Sequence, residues 1–295
     1  MSRTQTGTEK STYLLLSLHG AVLYLLLFLV PVVLGVYYSM TDWNGIGANY
    51  NFVALENYVR IARDGRVLNA LSINGIYTLV FVTVVNVLAV ALALLLNDDR
   101  LRFRRAFRAV YFFPAVLAMV VVGLIFDQVF YHAIPSVGRS LGIVALERNL
   151  LGRPETALWG VLCVSVWRNT AVPMVLILAG LQTVPSDLIE AAILDGANGR
   201  QRFVNVIFPF LVPSLTMTLV LTVKHGLMVF DVIMATTDGG PGRATEVIGL
   251  LVYNMGFNEM RFGYASALSF VLFGLIAVIS FVQIAALKTK EVGQI

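Results

Sequence analysis

Six stretches of this chain are apolar for long enough to cross a bilayer core of about 30 Å, which an α-helix covers in roughly twenty residues. They run over 13–37, 71–96, 110–130, 157–181, 206–230 and 264–287. Water does not reach such segments, so each must satisfy its backbone hydrogen bonds internally, and the helix is the form that does so within one run. Composition agrees. Of 295 residues, 58% are hydrophobic and 13% charged, against about 25% charged in soluble domains. With a mean hydropathy of +0.81, the expected class is an all-α polytopic membrane protein, a six-helix domain over 13–287 between tails at 1–12 and 288–295. The first run is too long for a secretory signal and lacks a small-residue cleavage site after it, so it is expected to remain as an anchor.

Basic residues set the expected orientation, because cytoplasmic loops retain them. Arg100, Arg102, Arg104, Arg105 and Arg108 crowd the loop between the second and third runs, while Arg3 and Lys10 precede the first. Arg200 and Arg202 precede the fifth run, and Lys288 and Lys290 follow the sixth. An even number of spans puts all these groups on one side, so both termini are expected in the cytoplasm. The opposite loops are longer and offset their arginines with Asp42, Glu56, Asp64, Glu147 and Glu155. The formal charge of +4 therefore reports topology and not a nucleic-acid partner. Cys163 is the single cysteine, which leaves no disulfide framework within the chain.

Between the fourth and fifth runs lies a polar segment that is more than a connector. A helix over about 186–197 is predicted, with Pro185 in its first turn, Asp187 and Glu190 near its positive end, and Gly196 and Gly199 as stop signals. Ala191, Ala192 and Gly196 are small enough to let another protein approach the backbone. The residues alone leave two readings, an interfacial amphipathic helix or a docking helix.

Glu190-Ala191-Ala192, three residues, Gly196, then Val206, Phe208 and Pro209 resemble the EAA loop of the inner-membrane subunits of binding-protein-dependent ABC importers. Val206 and Phe208 stand where that family usually has Ile and Leu. The resemblance implies a type I ABC-importer permease fold and makes Glu190, Ala191, Ala192, Asp195 and Gly196 the coupling contact with an ATP-hydrolysing subunit. Phe52-Val53-Ala54-Leu55-Glu56-Asn57-Tyr58 and Gly239-Gly240-Pro241-Gly242, with Thr245 after it, resemble elements of the sugar branch, Ala54 replacing its usual Gly. The likeness spans nearly the whole chain and points to the maltose, glycerol-3-phosphate and multiple-sugar group.

What the resemblance implies is a multi-pass protein of the prokaryotic inner or plasma membrane that imports a sugar or oligosaccharide. Its expected partners are a second permease, two ABC ATPases and an extracytoplasmic sugar-binding protein. No Gly-x-x-x-x-Gly-Lys-Ser/Thr run is present in the sequence, so ATP and Mg are expected on the ATPases, with no cofactor and no catalytic site on this chain. A polyol phosphate is the alternative solute. A secondary transporter driven by an ion gradient is the alternative class, one that would show inverted repeats and broken helices.

Ionisable residues at membrane depth are functional candidates. Asp127, Arg168 and Lys224 fall inside predicted spans, and Asp127 is close enough to the interface to be hydrated. Trp167, Arg168 and Asn169 combine an aromatic face with hydrogen-bonding groups, as a sugar site or as scaffold. Lys224 beside His225 is less typical of the family and is the preferred specificity candidate, with Phe230 at the outer end of the fifth run. Asn74, Tyr77 and Asn86 read as interhelical hydrogen-bonding groups. Pro209 and Pro213 are expected to bend the fifth span just after the docking helix.

Overall fold

The structure, a computed structural model, describes residues 7–97 and 102–288. Arg3, Arg100, Lys290 and most of the expected C-terminal tail therefore lie outside the described residues. Helix α1 runs Gly7–Tyr24, through a π-helical turn Leu25–Leu29, to Val30–Ser39. It begins inside the stretch expected to be a tail. Helix α2 is Glu56–Arg63, α3 Gly65–Asn97 and α4 Arg104–Val116. Helix α5 runs Met119–Gln128, through Val129–Ala133, to Ile134–Leu141. Then come α6 Pro154–Asn169, α7 Ala171–Leu181 and α8 Ser186–Leu194. Helix α9 is one run, Gly199–Leu227, followed by α10 Asp231–Thr236, α11 Ile248–Tyr253 and α12 Phe262–Lys288.

Among the described residues five helices are long and apolar enough to span a membrane, and six when α6 and α7 count as one span bent by 43°. That matches the number of runs but corrects two of them. The third, expected over 110–130, is interrupted: Leu117 and Ala118 are extended, with ψ of 137° and 140°, and the spanning helix is Met119–Leu141. The fifth ends at Leu227, which leaves Phe230 outside it.

Prolines account for three of the π-helical turns. Pro31, Pro135 and Pro209 each follow a five-residue π turn, Leu25–Leu29, Val129–Ala133 and Phe203–Ile207. The residue four before each, Leu27, Tyr131 and Asn205, sits at the centre of that turn. Proline lacks the N–H that would bond this carbonyl, and its ring crowds it. Widening the turn by one residue relieves the crowding without ending the helix. Pro209 therefore does not produce the sharp bend expected of it. The sharp bend lies earlier, at Thr170, where the side chains of Asn169 and Thr170 bond the carbonyls of Ser165 and Val166 at 2.8 and 2.6 Å. Such back-bonding weakens a helix turn, and Pro173 removes the N–H that would have met the Asn169 carbonyl.

The chain divides into two compact units, Met1–Asp64 with Val252–Val271, and Gly65–Leu251 with Leu272–Ile295. In the first, the loop after α1 folds back on itself. Asn51 donates to the Asp42 carboxylate from its side chain (3.0 Å) and backbone (2.6 Å), which holds that carboxyl below its ordinary range. Asn57, buried, donates to the carbonyls of Ser39 and Thr41 at 2.9 Å each, and Tyr58 meets the Ser39 hydroxyl. Ala54 sits at φ 49°, which explains why a glycine suits this position.

In the second unit α3, α7 and α9 pack together around Ala89, Ala93, Leu96, Met174, Ile177, Leu178 and Leu211, all buried. Small residues let the backbones meet: a Cβ on Gly226 would lie 2.8 Å from Thr78 Cγ2, and one on Gly180 would run into Ser214. The Gly-Gly-Pro-Gly loop turns through positive φ at Asp238, Gly239, Gly242 and Arg243. It is anchored by Arg66, which donates to the Glu246 carboxylate through Nε (2.9 Å) and Nη2 (2.6 Å), while Thr245 donates to the Gly240 carbonyl at 2.9 Å. The Glu246 side chain is 5% exposed. Val247, Ile248, Leu250 and Leu251, at and after the start of α11, are buried.

Replacing Ala54 with Gly removes left-handed strain of about 1 kcal/mol and is expected to raise the unfolding temperature; an unchanged or lower midpoint would show that the turn carries no strain. Glu246→Ala removes the carboxylate opposite a half-buried guanidinium and should cost about 1–3 kcal/mol, whereas the pair Arg66→Met with Glu246→Leu should restore much of the loss. Chemical denaturation of the three variants checks both statements.

Candidate functional site

Three interruptions of transmembrane helices line one cavity of about 380 Å³ in the second unit. Met119 comes from the start of α5, after the extended Leu117–Ala118 link. Ser165, Arg168 and Asn169 come from the last turns of α6, at the 43° bend. Lys224, His225 and Met228 come from the end of α9, and Phe230 and Asp231 from the link into α10. Tyr77 and Phe81 on the unbroken α3 complete the wall, their rings stacked at 5.7 Å. Irregular backbone at membrane depth is tolerated where it is buried in protein or lines a wet cavity, and these breaks meet that condition.

The exposed backbone groups are partly satisfied by side chains. Asn74 on α3, 3% exposed, donates to the terminal carbonyls of Gly226 and Leu227 at 3.2 and 3.4 Å. Asn86 donates to Thr222 at 2.9 Å. Both asparagines thus join α3 to α9 as the sequence suggested. Arg168 Nη2 donates to the Leu117 carbonyl at 3.4 Å, which links the bend in α6 to the break before α5.

Of the candidates named from sequence, Arg168, Asn169, Lys224 and Phe230 all line this cavity. Trp167 does not. It packs edge-on against Phe126 at 5.1 Å and lines a smaller hollow of about 140 Å³ with Tyr111, Pro114 and Met174. Helical geometry separates Trp167 from Arg168 by about 100° around α6, so adjacency in sequence does not make a joint site. His225, named with Lys224 from the sequence, lines the cavity too, as does Tyr77, which the sequence assigned to interhelical bonding; Ser165 is the lining residue the sequence reading missed, and its place one turn before Arg168 on α6 is the signal that could have found it.

The polar segment forms α8, Ser186–Leu194, shorter than the predicted 186–197. Pro185 is its N-cap, extended at ψ 130° after the turn that ends α7, and not its first helical residue. Asp187 is the acid of the first turn, and Glu190 sits mid-helix. The C-terminus is a Schellman motif: Gly196, at φ +75°, donates to the Ile193 carbonyl at 3.0 Å, and Ala197 to Ala192 at 2.9 Å. Gly199 does not stop this helix. It opens α9, whose N-cap Asn198 and Gln201 bond reciprocally at 2.8 and 2.9 Å. No residue of α8 is buried, and Leu194 is 88% exposed.

An all-helical, multi-span chain with broken helices around a cavity and an exposed capped helix between two spans defines a membrane permease. The chain matches the family of binding-protein-dependent transport system inner membrane components over residues 86–289 and belongs to it. It is 40% identical over 271 residues to the multiple sugar-binding transport system permease protein MsmF of Streptococcus mutans, covering 92% of this chain and 93% of that one. It is 31% identical over 269 residues to the probable starch degradation products transport system permease protein AmyD of Thermoanaerobacterium thermosulfurigenes, covering 91% of each. Its fold superposes with TM-score 0.83, at 19% identity and 100% coverage of both chains, on a chain of a bacterial alginate ABC transporter solved with an alginate pentasaccharide-bound periplasmic protein. Broken helices, expected of a secondary transporter, are present here, yet the family membership assigns them to an ABC permease.

Asn74→Leu keeps the size of the side chain but frees two carbonyls at the end of α9. It is expected to lower stability by about 1–2 kcal/mol, measured by thermal unfolding in detergent; no change in midpoint would show that water already satisfies those carbonyls.

Proposed function

We propose that this chain is one permease subunit of an ATP-driven importer that carries a sugar or oligosaccharide handed over by an extracytoplasmic binding protein. The observation that carries the reading is α8: an exposed helix with Leu188, Ile193 and Leu194 uncovered, rigidly ended at Gly196 and joined by a capping box to a spanning helix. Apolar side chains left uncovered on a helix between two spans are what a docking partner would cover. Glu190, Ala191, Ala192, Asp195 and Gly196 form the contact with an ATPase subunit, and ATP and Mg stay with the two ATPases. The second permease supplies the other half of the pathway. Both termini and α8 face the cytoplasm of a prokaryotic cell, in line with Arg102, Arg104, Arg108, Arg200 and Arg202. Arg168, Asn169, Lys224 and Phe230 form this chain's share of the solute path, and Trp167 supports it from behind.

Gly196→Val forces a β-branched residue into the left-handed region at a cost of about 1–2 kcal/mol and should shift the end of α8. ATP-driven uptake in vesicles is expected to fall by about tenfold or more, with membrane insertion unchanged. Gly199→Ala, at a glycine without positive φ, should leave uptake intact. Normal uptake by the valine variant, or uptake driven by an ion gradient without ATP, would overturn the reading.

A further inference from the structure

The cavity is unbalanced in charge. Arg168 and Lys224 line it with His225, and Asp231 is the single acid among its lining residues. Elsewhere in the same unit a half-buried guanidinium is matched by a buried carboxylate, Arg66 lying 2.6 Å from Glu246. Arg168 has no such partner. Its Nη2 reaches a backbone carbonyl at 3.4 Å, and its buried Nε meets no acceptor. Lys224 has no carboxylate within ion-pair distance among the described residues.

Both cations stand in the last turns of their own helices, where carbonyl dipoles offset part of their charge. The start of α5 adds positive potential from a third direction. Met119 lines the cavity, and the first turn of α5 has no side-chain cap, so its leading amides keep their hydrogens unbonded by the chain's own side chains. A neutral hydroxyl can accept from these donors but supplies no counter-charge to a guanidinium whose buried Nε has no acceptor. The aromatic walls Tyr77, Phe81 and Phe230 suit the apolar face of a sugar ring.

We propose that the transported solute is a saccharide or polyol bearing a carboxylate or phosphate, the anion held by Arg168 and Lys224 at the uncapped start of α5. The assignment rests on the importer reading above and narrows its substrate class. Lys224 is the residue that reads the charge, and Arg168, tied to Leu117, also fixes the helix break.

The test is equilibrium binding of three probes, trigalacturonate, sn-glycerol 3-phosphate and maltotriose, to the purified importer in detergent. Saturable binding of an anionic probe is expected, at least tenfold tighter than of maltotriose, weakened about tenfold by Lys224→Gln, kept by Lys224→Arg and reduced by added salt. Preference for trigalacturonate assigns the charge to a uronate, and preference for glycerol phosphate to a phosphate ester. Equal or tighter binding of maltotriose, anion binding indifferent to Lys224→Gln, or no saturable binding of either anion would overturn the proposal. ATP-dependent uptake by vesicles of the same importer is read in parallel. If neutral sugars still enter on ATP while anion binding is absent, the anionic assignment alone falls.

Discussion

Every break in a membrane helix has to be answered by a partner for the freed backbone groups, because the bilayer offers none. The cavity at the three helix breaks of this permease is the place where those answers are gathered. The end of α9 is bonded by Asn74 from the uninterrupted α3, and the carbonyl before α5 by Arg168 from the bend in α6. One intact helix and one guanidinium therefore hold open three interruptions. Arg168 and Asn169 both line the cavity and bond backbone carbonyls beside the breaks, whereas Asn74 bonds the end of α9 without lining the cavity.

Helix α8 is connected to that cavity by a single rod. The Schellman turn at Gly196 and the capping box at Asn198 leave four residues, Asp195 to Asn198, between α8 and α9. From Gly199 the helix runs to Leu227, about 40 Å at 1.5 Å per residue. Its far end carries Lys224 and His225 into the cavity. Pro209, with the π turn before it, leaves the rod continuous, whereas α6 and α7 bend at Thr170. Motion imposed on α8 thus has a stiff element to travel along and a weak point beside it, which is the mechanical arrangement the importer reading requires.

Much of this was legible in the sequence because hydropathy over twenty residues reports a requirement that tertiary structure cannot waive. The six apolar runs, the short helix between the last two pairs, and the turn at Gly-Gly-Pro-Gly all correspond to features of the structure. The misjudged points are those where local rules compete. Pro114 near the end of α4 gave the only hint of the break at Leu117–Ala118, since the hydropathy there stays high throughout. Gly196 and Gly199 carry the same stop signal, yet Asn198 with Gln201 turned the second into a helix start. Trp167 and Arg168 adjoin in sequence and diverge around the helix.

The sequence by itself determined that this chain crosses a membrane as helices and exposes one short capped helix between spans, because chain-wide apolarity and local capping chemistry act without reference to distant residues. Tertiary structure alone decided which polar side chains share a cavity, that Glu246 closes on Arg66 across 180 positions, and where a spanning helix yields. Those outcomes depend on which helix faces which, and the rotation of one helix against another is set by small residues and hydrogen bonds at their contact and not by any local run of sequence.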